Sequence, residues 1–300
     1  MHKIFITSIV SIFLVFNLHS QEKQKVAEYL QSISVTIKSK ARDSQSEGSG
    51  VLITRKISGQ DVTFVWTCAH VVDNLRSVRT VVNESGNPVK LVEFGDVQIV
   101  KELVEEGRRV GEIKMDAQVI KYSNYNYGHD LALLMVRAKD YGKESAKFYL
   151  NKESPIVPIG TRLFHVGSLL GQMGANSMTT GIVSQIGRVE DKFEFDQTTV
   201  TAFPGSSGGG VYLENGTYVG MIARGAGEGF NLMIPIRRMT SWAKDNNVLW
   251  ALDPKQKTPT IKEIKELPIE SSGMKESGSS KKSNRKTVFL IETTNLDGLE

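Results

Sequence analysis

The chain has 300 residues, of which 40% are apolar and 23% charged, and its net charge is +4. This is the composition of an ordinary globular protein of one large domain or two modest ones, and so small a charge gives no warrant for a nucleic-acid partner. The single cysteine, Cys68, excludes any intrachain disulfide, so stability has to come from core packing.

Residues 1–20 start with Lys3 and run apolar from Ile4 to Phe16, interrupted by Thr7, Ser8 and Ser11, before the polar Gln21-Glu22-Lys23. A positive start, a short apolar core and a polar boundary read as a secretory signal peptide, and the apolar run falls short of the ~20 residues of a spanning helix. The expectation is a secreted or periplasmic protein with no stable membrane anchor. A short helix is predicted over Val26 to Leu30. Short β-rich runs then follow, broken by Gly, Asn, Asp and Ser: Ser34–Ile37, Gly50–Thr54, Val62–Thr67, Val97–Val100 and Ala132–Val136. The second half continues with Arg162–Val166, Met178–Ser184, Thr198–Thr201, Gly209–Leu213, Tyr218–Ala223 and Phe230–Ile234. Many short strands with few helical periods predict an all-β protein, and two strand-rich halves of about a hundred residues each are large enough to close into separate barrels. Pro235 ends the last strand, and Ile236, Met239, Trp242 and Ala243 recur at helical spacing, which predicts a C-terminal helix folded onto the β-structure. From Pro254 the composition turns to Lys, Glu, Ser and Gly, as in a disordered tail, with Thr287–Ile291 read as one added strand or a short docking segment. The division expected is a signal peptide at 1–20, a two-barrel domain at 21–253 and a low-complexity tail at 254–300.

Three segments carry chemistry: Thr67-Cys68-Ala69-His70, His129-Asp130-Leu131-Ala132 and Gly205-Ser206-Ser207-Gly208-Gly209. A serine hydroxyl is a poor nucleophile until an imidazole takes its proton and a carboxylate orients that imidazole, and His70, Asp130 and Ser207 supply the three groups. Glycines on both sides of Ser207 let the backbone aim amide hydrogens at one point, with the N–H groups of Gly205 and Ser207 as oxyanion donors. Gly205-Ser206-Ser207-Gly208-Gly209 also satisfies the G-x-S-x-G pattern of α/β-hydrolases, but that fold places its histidine after the serine. All five histidines here precede Ser207. A subtilisin-like order needs an aspartate ahead of His70, for which only Asp43 and Asp61 are available, and the strand-rich pattern argues against it.

Together with Gly48-Ser49-Gly50-Val51, Val166-Gly167-Ser168 and Thr180-Gly181-Ile182-Val183-Ser184, these segments resemble the trypsin-like serine protease family across about residues 33–245. The pattern is most similar to the bacterial high-temperature-requirement branch without its PDZ domain. The resemblance implies two six-stranded antiparallel β-barrels of the chymotrypsin type with the site between them. It also implies His70 as general base and acid, Asp130 as its orienting partner, Ser207 as nucleophile, a protein or peptide substrate, and no cofactor or metal. Thr201 falls at the floor of the family's primary specificity pocket, where an uncharged group implies a small or medium apolar residue at the cleavage site. Ala223-Arg224-Gly225 falls on the strand that pairs with substrate backbone, where Arg224 implies a bias toward acidic neighbours. Ser206 replaces the aspartate that pairs with a newly cut N-terminus in the digestive enzymes, so activation by that route is not expected. Cys68 is expected to be a buried small hydrophobe, and His129 and His165 lack further ligands at metal spacing. The competing reading is a latent or inert protease-fold protein acting as a binding scaffold.

Overall fold

A computed structural model describes residues 24–270 and 291–292, apart from 84, 106, 139–140 and 226–228. The expected signal peptide and most of the Lys/Ser-rich tail lie outside the described residues. A helix at 24–32 (α1) leads into the first barrel. Its strands and the hairpin beside it are β1 (Ser34–Lys40), β2 (Gln45–Ile57), β3 (Gln60–Thr67), β4 (Arg76–Val82), β5 (Pro88–Phe94), β6 (Val97–Glu105), β7 (Arg108–Ser123) and β8 (Leu131–Val136). Six of them close antiparallel in the order β1-β2-β3-β8-β7-β6, with β6 returning to β1, while β4 and β5 form a hairpin outside the barrel.

Local chemistry explains the closure. Ser58 and Gly59 join β2 to β3 with φ of 51° and 83°, the paired positive values of a two-residue turn whose twist matches the flanking strands. β8 is flanked by β3 and β7 and buries all six of its residues, so it reads as a continuous apolar run rather than an alternation. A register shift between Val119 and Lys121 of β7 places an extra residue in that strand, and Lys121 is buried there with its Nζ donating to Pro268 O at 2.7 Å.

The second barrel is built from β10 (Arg162–Leu169), β11 (Gly174–Glu190), β12 (Phe193–Thr198), β13 (Gly210–Leu213), β14 (Thr217–Gly225) and β15 (Asn231–Pro235). They follow the order β13-β10-β11-β12-β15-β14, and β13 also pairs with β14, so these six strands close on themselves. A two-residue strand, β9 (Lys147–Phe148), adds parallel to β14. Val157, Leu163, Val183, Val200, Val211, Val219, Ile222 and Met233 form an apolar cluster of this half, and the larger cluster is continuous through the first barrel and the C-terminal helix. The chain is thus an all-β, chymotrypsin-like protein of two barrels.

Helix α2 (Ile236–Asp245) buries Ile236, Met239, Trp242 and Ala243, the predicted stripe, and Trp242 meets Trp66 of β3 edge-on at 5.9 Å. Two details differ from expectation. The strand expected at Thr198–Thr201 lies instead at Phe193–Thr198 (β12) and shares only Thr198 with the expected run, because the Thr198 hydroxyl accepts the N–H of Val200 at 3.2 Å and draws the chain out of the ladder. The packed chain also runs past 253. Thr260 and Glu263 form a capping box that starts α3 (Ile261–Lys265), and Ile264 is buried. Beyond α3, Tyr122 N–H donates to Ile269 O at 2.6 Å and Arg76 pairs with Glu270 at 2.7 Å. Four apolar residues within a polar composition suffice to dock this strap on β7. Of the remaining tail only Ile291–Glu292 is described, as a two-residue strand (β16) beside β5.

Candidate active site

β3 ends at Thr67, and the chain passes through Cys68 into a single 3₁₀ turn, Ala69–Val71. Ala69 and Val71 are buried, and His70 between them keeps 30% of its side chain exposed. Its ring Nδ1 lies 2.9 Å from Asp130 Oδ2 and 3.1 Å from Oδ1, and its backbone N–H donates to Oδ1 at 3.0 Å. A carboxylate only accepts, so Nδ1 carries the hydrogen and Nε2 is left as the acceptor. Asp130 itself is 2% exposed and has φ of 55°, a left-handed conformation that aspartate tolerates better than most residues.

The loop before Asp130 is built to hold that conformation. Asn124 O accepts from Gly128 N at 2.9 Å and more weakly from Asp130 N at 3.4 Å, and Ser123 Oγ accepts from His129 N at 2.8 Å. From α2, Arg238 donates to His129 O at 2.7 Å, with its guanidinium stacked 4.8 Å over Phe193 and 4.6 Å over Phe195. Burial pulls Arg238 down to about 10, and the negative charge of Asp130 opposes that fall. Sequence reasoning did not find Arg238. Its only signal is a cation at a buried position of an amphipathic helix.

The Ser207 segment is held through its backbone. Phe203 O accepts from Ser206 N (2.9 Å), Pro204 O from Leu170 N (2.8 Å), Gly205 O from Ser49 Oγ (2.7 Å), Ser206 O from Gly209 N (2.9 Å) and Ser207 O from Ser49 N (2.8 Å). Phe203 N donates to Ser206 Oγ, and Gly208 N donates to Ile222 O. Every carbonyl from 203 to 207 is therefore engaged. Of the N–H groups from 203 to 209, those of Gly205 and Ser207 alone have no hydrogen-bond partner among the described residues. Proline at the second position and Gly205 at the third, with φ of 96°, make Phe203–Ser206 a type II turn. A Cβ on Gly205 would collide with Ser168 O and with Gly171 N, so no other residue fits.

The two halves meet at Gly48. A Cβ there would touch the Val71 side chain at 2.6 Å and Ser207 O at 3.1 Å, which sets the Ser207 backbone beside the turn that carries His70. No hydrogen bond joins Ser207 Oγ to His70 among the described residues. A cleft of about 650 Å³ is lined by His70, Asp73, Asn74, Tyr125, Asn126, Asp130, Asp191, Ala223 and Arg224, so it brings together four of the residues singled out from the sequence. Gly205, Ser207 and Thr201 do not line it. Thr201 is half-buried, with its carbonyl accepting from Thr179 Oγ1 at 2.8 Å. Arg224 is not a free cation. It bridges Glu190 at 2.8 Å and Asp191 at 3.3 Å, which removes the motive for an acidic preference beside it.

Cys68 is fully buried, with Sγ donating to Ile222 O at 3.3 Å, and burial together with the Asp130 charge pushes its thiol well up. Cys68, His70 and Asp130 each offer a donor atom within 4.8 Å of the others, but Nδ1 is already engaged by both carboxylate oxygens. Burial depresses His129 and His165 to about 4 each, and His165 Nδ1 donates to Gly210 O at 3.0 Å.

The comparisons agree with this architecture. A family model described as a trypsin-like peptidase domain matches residues 48–221. Among solved structures, the serine endoprotease from Yersinia pestis is similar in fold, with a TM-score of 0.54 and 17% identity over 75% of this chain and 66% of that one. The chain thus spans just under two thirds of that relative's length. No curated protein matches it. The family match covers more than half of the sequence and contains His70, Asp130 and Ser207 in order, so the chain belongs to the trypsin-like peptidase domain family.

Proposed function

We propose that this protein is an exported serine endopeptidase. In this reading Ser207 Oγ attacks the carbonyl carbon of a peptide bond while His70 Nε2 takes its proton. Asp130 holds the Nδ1–H tautomer and stabilises the imidazolium that forms. The carbonyl oxygen becomes an oxyanion and is received by the N–H groups of Gly205 and Ser207. The imidazolium then protonates the leaving amine, and water, activated by the same ring, releases the acyl group and restores Ser207. The observation that carries this reading is the pair of unengaged N–H groups at Gly205 and Ser207, in a segment where every carbonyl is turned to another donor. The absent Ser207–His70 bond is compatible with it, because such bonds are often long in unliganded sites and tighten when substrate binds.

Thr201 is proposed as the floor of the primary pocket, favouring a small or medium apolar side chain, and Ala223-Arg224 as the strand segment that pairs with substrate backbone. Export rests on the signal pattern of residues 1–20, and no helix among the described residues is long and apolar enough to cross a membrane. The test is labelling of the mature chain by a fluorophosphonate, beside Ser207→Ala, followed by casein cleavage with both samples. Labelling and cleavage that vanish together in Ser207→Ala are the expected result. A folded sample that is not labelled would leave the latent scaffold as the better reading.

A further inference from the structure

We propose that Ser49 is the positioning residue that keeps the oxyanion turn in its donor-outward form. The inference rests on the reading of Gly205 and Ser207 as oxyanion donors. Ser49 lies in β2, is fully buried, and supplies two of the five donors that occupy the carbonyls of 203–207: its hydroxyl on Gly205 O at 2.7 Å and its N–H on Ser207 O at 2.8 Å.

The direction of the hydroxyl proton is fixed. Ser49 Oγ accepts the N–H of Ser168 at 2.7 Å, so its own hydrogen is directed at Gly205 O. Ser168 lies near the end of β10, two residues before Leu170, whose left-handed backbone (φ 61°) sends its N–H to Pro204 O. One hydroxyl therefore joins the segment that pins the peptide before Gly205 to the carbonyl of the peptide after it.

Pinning both peptides matters because the residue between them is glycine. Within a trans peptide the C=O and N–H point in opposite directions, so a carbonyl drawn to one side fixes its partner N–H on the other. Leu170 fixes the Gly205 N–H in this way, and Ser49 fixes the plane that follows. Glycine occupies φ of either sign readily. With the Ser49 hydroxyl gone, Gly205 O loses its donor and the turn gains a route to conformers in which the Gly205 N–H faces away from the oxyanion.

Ser49 touches no substrate in this arrangement, so its removal is felt in the transition state and little in ground-state binding. The test compares wild type, Ser49→Ala and Ser207→Ala in kcat and KM on a peptide substrate. A peptide boronate, which forms a tetrahedral adduct, and the product peptide are then compared as ligands. Ser49→Ala should lower kcat about tenfold, the weight of one neutral hydrogen bond. KM and product affinity should stay within about twofold, and boronate affinity should fall by the same factor as kcat. Ser49→Cys, which keeps the shape but weakens the donor, should fall between. Unchanged kcat in Ser49→Ala, or a loss carried by KM and product affinity, overturns the proposal while Ser207→Ala remains inert. If Ser207→Ala keeps the activity, the proposed function and the role of Ser49 fall together.

Discussion

The His70–Asp130 half of the site is held by side chains, and the Ser207 half by backbone. On the first side one carboxylate takes two hydrogens from His70, the backbone N–H and a ring N–H shared between its two oxygens, and Arg238 anchors the loop that delivers it. On the second side five carbonyls are engaged in succession so that two N–H groups are left over. The difference teaches where each half is fragile. The first should fail when a charge or a tautomer changes, the second when a Cβ is added where none fits.

The largest expected effect is on the side-chain half. Asp130→Asn presents an amide hydrogen to Nδ1, so the proton moves to Nε2 and the ring can no longer accept from Ser207. The loss in kcat should be about 10⁴-fold with the fold intact. A loss under tenfold, measured with the melting temperature unchanged, would show that the His70–Asp130 contact is structural only.

The backbone half predicts a smaller but still large loss. In Gly205→Ala the new Cβ collides with Ser168 O and Gly171 N, so the turn must move and its N–H moves with it. The expected drop in kcat is about 10²–10³-fold, the usual cost of one oxyanion donor. Gly59→Ala is the matched control: its φ is 83° but nothing lies within 4 Å of a Cβ there. That variant should lose roughly 1–2 kcal/mol of stability and keep its kcat. Equal kcat losses in the two would mean that strain rather than displacement of the donor is responsible, and the comparison between the halves would collapse.

The same contrast explains what was legible in the sequence. His70, Asp130, Ser207 and the Gly205 turn stand out because catalytic side chains and glycines occur in short, ordered segments. β8 and the α2 stripe are plain because burial leaves apolar runs and helical spacing. β7 is not, because Arg108–Ser123 mixes charges through a strand whose first half is largely exposed. Ser49 lies in a quoted motif, yet nothing in one serine says that its hydroxyl reaches Gly205, 156 positions away. The strap at 261–270 was hidden by composition: Ile261, Ile264, Leu267 and Ile269 are few among lysines and glutamates, but one short capped helix and the turn after it bring them onto the hydrophobic core.

The remaining effect is on stability, and both halves contribute to it. Each holds one imidazole that burial pushes to about 4: His129 beside Asp130, and His165 under the Ser207 segment, where a Cβ on Gly209 would meet its ring at 2.7 Å. In the unfolded chain both bind protons near pH 6.5, whereas the folded chain resists them, so stability is full above about 6.5 and declines as pH falls toward 4. Fully buried His165 contributes on the order of 3 kcal/mol across the window. His165→Asn keeps a donor for Gly210 O and removes the titration. It should flatten the dependence of melting temperature on pH between 6.5 and 5, and His129→Asn should do the same. A pH dependence unchanged in His165→Asn would break the assignment of His165 as the buried prop beneath the Ser207 segment.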